Sequence, residues 1–136
     1  MAGYSGTPLP QKLCIREGSR VALVNAPPGF ESALGPLPAG AEFVSPARKG
    51  LGVVLLFVRA RAELARRFEG LASRLAPDGS LWVAWPKKSS GVETDLVAGY
   101  VRRHGLGVGL VDVKVCAVDE TWSGLRFVYR LKDRPR

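Results

Sequence analysis

Short apolar runs alternate with amphipathic stretches along this chain. The runs at 20–25, 51–58 and 80–85 predict strands, and a shorter strand is predicted at 41–44. The run at 51–58 is apolar without alternation, which indicates a strand buried on both faces. Apolar residues at helical spacing predict a helix over 60–75. The middle of the chain therefore has the strand, helix, strand order of a parallel sheet.

A second helix is predicted to begin at Ser90. Ser90 and Glu93 have the spacing of a capping box, in which each side chain bonds the backbone of the other residue. We expect His104 on the half-buried inner face of this helix, and Gly105 at its left-handed C-terminal cap. The Gly-x-Gly-x-Gly run at 105–109 follows a helix, which is the reverse of the order in dinucleotide sites.

Two alternating apolar runs, at 110–118 and 124–131, predict a final antiparallel pair. The predicted fold class is α/β: a single three-layer Rossmann-like domain over 1–136, with a mainly parallel sheet that ends in an antiparallel hairpin. Residues 1–10 and 132–136 are candidate flexible ends. A tryptophan exposed on the hairpin would make its edge a candidate homodimer surface.

The composition indicates a globular protein and argues against membrane-spanning and zinc-binding classes. The chain has 136 residues and is 46% hydrophobic, enough for one core. Its longest strongly apolar run has eight residues, so we expect no membrane span, and the amino terminus lacks the features of a secretory signal. These features predict a cytoplasmic location. Two distant cysteines and one histidine cannot assemble a zinc site.

The formal net charge of +8 raises the question of nucleic-acid binding. The basic residues are scattered over two predicted helices and the carboxyl-terminal tail, and no zinc-finger, helix-turn-helix or RNA-binding strand pattern occurs. A solvated basic surface is the favoured interpretation, and a nucleic-acid or protein-interaction module is the alternative.

The junction after the strand at 80–85 is the main candidate site. Lys87, Lys88, Ser89 and Ser90 come between this strand and the predicted helix start. Lysines beside the free amides of a helix start form a candidate receptor for phosphate or carboxylate. The alternative is solvated lysines beside an ordinary helix cap.

Other candidate ligand-binding residues lie at strand ends expected on the same edge. Asn25 ends the first strand, and Asp119 and Glu120 follow a later one. Asp119 and Glu120 could bond a ribose or an amine, or act only as turn residues. Trp85 and Trp122 could wall an apolar ligand, or belong to the core.

The order of elements resembles the later half of the class I methyltransferase fold, with the run Leu75-Ala76-Pro77-Asp78-Gly79 in the position of that fold's turn. The resemblance implies a glycine-rich loop after the first strand and an acid at the end of the second. The chain has Asn25-Ala26-Pro27-Pro28-Gly29-Phe30 and Val44-Ser45-Pro46 at those places. We therefore assign no cofactor from the sequence.

Three longer runs, at 2–9, 83–88 and 113–125, resemble a family of small bacterial proteins of unknown function. The resemblance covers essentially the whole chain. It implies a stand-alone cytosolic protein and transfers no catalytic residues.

These observations favour a domain that binds a small anionic metabolite or nucleotide. One alternative is an enzyme acting on a phosphorylated or carboxylated small molecule, which includes a divergent S-adenosylmethionine-dependent methyltransferase. In such an enzyme Lys87 or Lys88 would serve as electrophile and Asp119 or Glu120 as base. No serine nucleophile elbow is present, so acyl transfer through a Ser-His-Asp arrangement is not expected.

Overall fold

The computed structural model describes residues 7–133, which contain six strands. The strands are β1 (Arg20–Val24), β2 (Glu42–Phe43), β3 (Leu51–Phe57), β4 (Leu75–Pro86), β5 (Leu110–Ala117) and β6 (Trp122–Tyr129). They form one sheet in the order β2-β1-β3-β4-β6-β5. The strands β2, β1, β3 and β4 are parallel, and the final hairpin pairs antiparallel with β4 through β6. This topology confirms the predicted fold class.

Four α-helices accompany the sheet: α1 (Leu9–Lys12), α2 (Phe30–Leu34), α3 (Arg61–Ala72) and α4 (Ala98–Val108). Single-turn 3-10 helices lie at Lys88–Ser90 and Leu131–Asp133. The candidate flexible ends fall partly outside the described residues. Where they are described, residues 9 and 10 belong to α1, and residues 132 and 133 belong to the last 3-10 helix.

The two faces of the sheet are covered differently. One face packs against α3 and α4, whose buried side chains include Leu64, Phe68 and Val101. The other face is covered by the short helices α1 and α2 and by loop residues. Trp82 fills much of the space on this second face, and its indole Nε1 donates a buried 2.9 Å hydrogen bond to the Leu13 carbonyl. The indole thus joins the amino-terminal segment to the sheet.

The helix predicted to begin at Ser90 corresponds to α4, and its predicted start is wrong, because α4 begins at Ala98. The Ser90 hydroxyl donates to the Lys87 carbonyl at 2.6 Å and accepts from the Val92 amide at 3.1 Å, which closes a turn. Gly91 then takes a φ of 76°, and this left-handed conformation prevents a right-handed helix from continuing through it. The segment up to residue 97 instead crosses to the amino end of α3.

The predicted cap at Gly105 is also wrong. Gly105 lies buried inside α4, and Gly109, with a φ of 109°, occupies the left-handed cap position. Close packing explains the glycine, since a Cβ at position 105 would lie 2.1 Å from the Phe127 ring. The neighbouring prediction is confirmed: His104 is half-buried, and its ring meets that of Phe68 edge-on with centroids 5.2 Å apart.

The remaining boundaries differ only locally. The turn predicted at 76–79 is an irregularity near the start of β4, where the register with β3 shifts between Leu51 and Val53. The last strand begins at Trp122, two residues before its predicted start. No helix within residues 7–133 is long and apolar enough to span a membrane. The cytoplasmic location stays a prediction.

Candidate functional site at the carboxyl edge of the sheet

The carboxyl ends of β1, β3 and β4 meet at one edge of the sheet. Val24, Phe57 and Pro86 end these strands, and Trp122 begins β6 directly opposite Pro86. Open α/β sheets bind ligands at this edge, because loops leave the strands there and side chains converge. Two adjoining cavities lie at this edge.

The first, which we call the aromatic cavity, has a volume of about 340 Å³. Phe57 and Trp122 form its apolar part, with their rings edge-to-face at 5.1 Å. Phe30 supports the Phe57 ring from below at 4.9 Å. Asn25, residues 26–28, Arg59 and Glu63 complete the lining. The cavity therefore combines an aromatic wall with a cation and an acid.

The loop after β1 forms one side of the aromatic cavity. Asn25 takes a φ of 59°, a left-handed conformation that asparagine tolerates better than most residues. Pro27 and Pro28 follow and have no N–H groups, so this loop offers few backbone donors to a ligand. Gly29, at a φ of 82°, then starts the five-residue helix α2. A long helix with free amino-terminal amides does not follow β1.

The second cavity, the roof cavity, has a volume of about 480 Å³ and lies between the start of α3 and residues 92–95. Three hydrogen bonds hold this segment over the start of α3. Arg61 donates twice to Asp95, from its backbone N–H to the carboxylate at 2.8 Å and from Nε to the carbonyl at 3.0 Å. The Thr94 hydroxyl donates to the Arg59 carbonyl at 2.6 Å. Side chains from the segment after β4 thus form hydrogen bonds with the backbone N–H and carbonyl groups at the start of α3.

Arg59 lines both cavities. Its backbone N–H donates to Glu63 Oε1 at 2.9 Å, while its carbonyl accepts from Thr94. Within residues 7–133 its guanidinium has no hydrogen bond and no carboxylate within ion-pair distance. The fold therefore fixes the backbone of Arg59 and leaves its charge available at the junction of the two cavities.

Only two of the residues proposed from sequence line these cavities. Asn25 and Trp122 line the aromatic cavity. Trp85, 6% exposed, belongs to the core layer under α3 and α4. Asp119 Oδ1 accepts from the Thr121 and Trp122 amides, each at 2.8 Å, which is the turn role considered as its alternative. Glu120 is exposed in the same turn.

The lysine and serine candidates lie beyond Pro86. The Lys87 amide donates to the Thr121 carbonyl at 2.8 Å, and Lys88 and Ser89 are exposed in the 3-10 helix that also contains Ser90. Because α4 does not begin there, the free helix amides that supported an anion receptor at this place are missing. None of the four lines either carboxyl-edge cavity.

Sequence reasoning missed Phe57, Arg59 and Glu63 as site residues. A usable signal was present, since Arg59 follows the fully buried run at 51–58 as Asn25 follows β1. The sequence pattern instead groups Arg59 with the scattered basic residues of the helix that follows. Within the described residues, no group of three or more His, Cys, Asp or Glu side chains could hold a metal.

The fold is similar to that of solved methyltransferases. A TehB-like S-adenosylmethionine (SAM)-dependent methyltransferase from Corynebacterium glutamicum superposes with a TM-score of 0.58 at 10% identity, over 95% of this chain and 91% of that one. A SAM-dependent methyltransferase from Aquifex aeolicus gives 0.57 at 14% identity, over 86% and 85%. Aeropyrum pernix fibrillarin, solved with natively bound SAM, gives 0.54 at 14% identity, over 93% and 70%.

No protein-family model and no curated protein matches the sequence. Identities of 10–14% establish similarity of fold and nothing finer. The methyltransferase-like architecture expected from the order of elements is confirmed. The chain has the Rossmann-like fold of SAM-dependent methyltransferases, with a short α2 and a two-residue β2.

Proposed function

We propose that this protein is a divergent SAM-dependent methyltransferase and that its carboxyl-edge cavities bind SAM. This is a change from the binding-only domain favoured by the sequence. The single observation that carries the proposal is the unpaired Arg59 guanidinium between two cavities at the edge where this fold binds ligands.

Arg59 suits the carboxylate of the methionyl part of SAM. A guanidinium binds a carboxylate through two parallel hydrogen bonds, and such charge-assisted pairs are stronger than neutral ones. Because Glu63 Oε1 holds the Arg59 amide, the backbone from which this side chain extends is fixed. The second oxygen of Glu63 has no described partner and could accept from the ligand's ammonium group.

The aromatic cavity suits the remainder of the ligand. Phe57 and Trp122 offer apolar ring surface against which adenine can pack, and an indole face also attracts a cation such as a sulfonium. When bound, SAM supplies an electrophilic methyl group. The roles of the chain's own residues are to hold the carboxylate, pack the base and exclude water beneath residues 92–95.

A second candidate function is ligand binding without methyl transfer. Pro27 and Pro28 remove two backbone donors from the loop after β1, and no acid follows the two-residue β2, which ends at Phe43. A ribose that depends on backbone donors from the first loop and on an acid after the second strand would therefore lack both partners in this chain. These differences favour a domain that retains the cleft and binds another small anionic molecule there.

Isothermal titration calorimetry with a matched pair of ligands tests the proposal. SAM has the carboxylate, whereas 5′-methylthioadenosine has the adenosine and sulfur but no amino-acid group. We expect both ligands to bind the wild-type protein. We expect Arg59→Gln to lower the affinity for SAM about tenfold and to leave the affinity for methylthioadenosine unchanged. Arg66→Gln, which changes an exposed arginine of α3 that lines neither cavity, is the control.

Each outcome separates the candidates. Failure of both ligands to bind wild-type protein would reject SAM as the ligand. Equal weakening of both by Arg59→Gln would show that Arg59 does not contact the carboxylate. If SAM binds, formation of S-adenosylhomocysteine in the presence of a cell extract of small molecules indicates methyl transfer, and its absence favours binding alone.

A further inference from the structure

A third cavity lies at the opposite, amino edge of the sheet and is independent of the carboxyl-edge site. It has a volume of about 410 Å³ and is formed where β1, β3 and β4 begin, beneath residues 14–20. Arg16 and Arg20, from the turn that leads into β1, line it together with Ser80 of β4 and Arg126 of β6. We call it the arginine cavity.

Two of these arginines form no ion pair with any described residue. Arg16 pairs with Asp78 at 3.6 Å on the exposed rim. Arg20 and Arg126 have no carboxylate within 4.0 Å in the described part of the chain. Arg126 is half-buried, and its one described side-chain bond goes to a neutral hydroxyl. A half-buried guanidinium without an anion is unusual, because burial penalises an unpaired charge.

Ser80 provides a second, separate indication. Ser80 is only 2% exposed, and among the described residues it is the one polar residue in the buried core. Its Oγ accepts from Arg126 Nε at 2.7 Å, and no described residue accepts the hydroxyl hydrogen. A buried hydroxyl normally has its donor satisfied. The hydroxyl hydrogen and the free Nη groups of Arg126 are thus all donors without an acceptor.

We propose that the arginine cavity binds a phosphorylated, hydroxyl-bearing small molecule. A phosphate dianion can pair with the guanidinium groups of Arg20 and Arg126, which form no ion pair in the described protein, and its oxygens can accept from the Ser80 hydroxyl. The cavity is larger than a phosphate group, and Glu17 and Asp78 on its wall can accept from sugar hydroxyls. Ligand pockets of roughly this volume are common in proteins.

Ribose 5-phosphate and ribose are the probes, titrated into ¹⁵N-labelled protein and followed by NMR. We expect ribose 5-phosphate to shift the amide signals of Gly52, Ser80 and Arg126 and to leave those of Asn25 and Arg59 in place. Ribose should bind much more weakly, because it lacks the phosphate.

Two variants test the assignment. Arg126→Gln and Arg20→Gln should each weaken binding of ribose 5-phosphate by about tenfold. Arg20 is exposed, so its variant keeps the test valid if loss of Arg126 disturbs folding. Arg103→Gln, on the exposed side of α4, is the control and should have no effect.

Three results would overturn the proposal: no binding at millimolar ribose 5-phosphate, unchanged binding in both variants, or shifts confined to the carboxyl edge. SAM binding is measured on the same variants. Since Arg20 and Arg126 lie at the other edge of the sheet, their loss should leave SAM affinity unchanged, so failure here does not affect the proposed function.

Discussion

The Asp95 carboxylate accepts a 2.8 Å hydrogen bond from the backbone N–H of Arg61, the first residue of α3. The N-cap residue of α3 is Ala60, whose side chain cannot cap. Asp95 therefore supplies from another part of the chain what a serine or aspartate usually supplies locally. The same bond holds residues 92–95 over the roof cavity.

Asp95→Ala should lower the free energy of unfolding by about 1 kcal/mol, because the helix loses a capping acceptor and an anion at its amino end. Urea denaturation measures this change. Glu93→Ala is the control, since Glu93 is exposed and has no described hydrogen bond. An Asp95→Ala variant as stable as the control would contradict the capping role.

Gly105→Ala should destabilise the protein by roughly 2 kcal/mol, because its Cβ would overlap the buried Phe127 ring. That ring cannot move freely, since it meets the Phe68 ring edge-on at 5.2 Å. Gly107→Ala, in the same helix with open space around the new Cβ, should instead stabilise by about 0.5–1 kcal/mol. Thermal denaturation of the two variants gives opposite signs if this packing is correct.

Trp82→Phe should lower the free energy of unfolding by about 1–3 kcal/mol beyond the effect of the smaller ring, because the buried Leu13 carbonyl loses its hydrogen-bond donor. Trp85→Phe is the matched control, since Trp85 is also buried and its indole has no described acceptor. Chemical denaturation at neutral pH compares them. Equal destabilisation by both substitutions would show that the bond to Leu13 contributes little.

Tyr129 should make stability depend on pH in the alkaline range. Its hydroxyl donates to the Ala72 carbonyl at 2.6 Å, and burial raises its pKa above the usual 10.0. The folded state therefore holds the proton more tightly than the unfolded state. This contribution is fully present below pH 10.0 and is lost as the pH rises through the folded-state pKa.

Tyr129→Phe should accordingly cost about 1 kcal/mol at neutral pH, and its deficit relative to wild type should shrink above pH 10.0. Tyr100→Phe, whose hydroxyl has no described partner, is the control. Denaturation curves at several pH values measure both. A deficit that grows with pH would have the wrong sign for a raised pKa.

Helices and strands whose apolar spacing is regular were predicted well. The buried run at 51–58, the helix at 60–75 and the final hairpin all occur within a few residues of their predicted bounds. Local capping signals were less reliable. Ser90 and Glu93 match a capping box, yet Gly91 turns the chain away and Asp95 caps a different helix. Capping residues act on whichever amide lies near in space.

The candidate site shows the same division. Asn25 was found because a residue ending a parallel strand must lie at the carboxyl edge, a consequence of sheet geometry. Lys87 and Lys88 were proposed as anion ligands because a helix start was expected beside them, and that helix begins at Ala98. Arg59 lies beside residues 92–95, which follow it by 33 or more positions, and no local sequence pattern predicts this contact.

The sequence by itself determined the class of fold, because the period of apolar residues is imposed by the local geometry of helices and strands. It also placed Asn25 and Trp122 at a shared edge. Only the tertiary structure decided which charged groups are left unpaired. Arg59 at one edge and Arg126 at the other depend on long-range contacts, which alone determine whether a carboxylate comes within reach of each guanidinium.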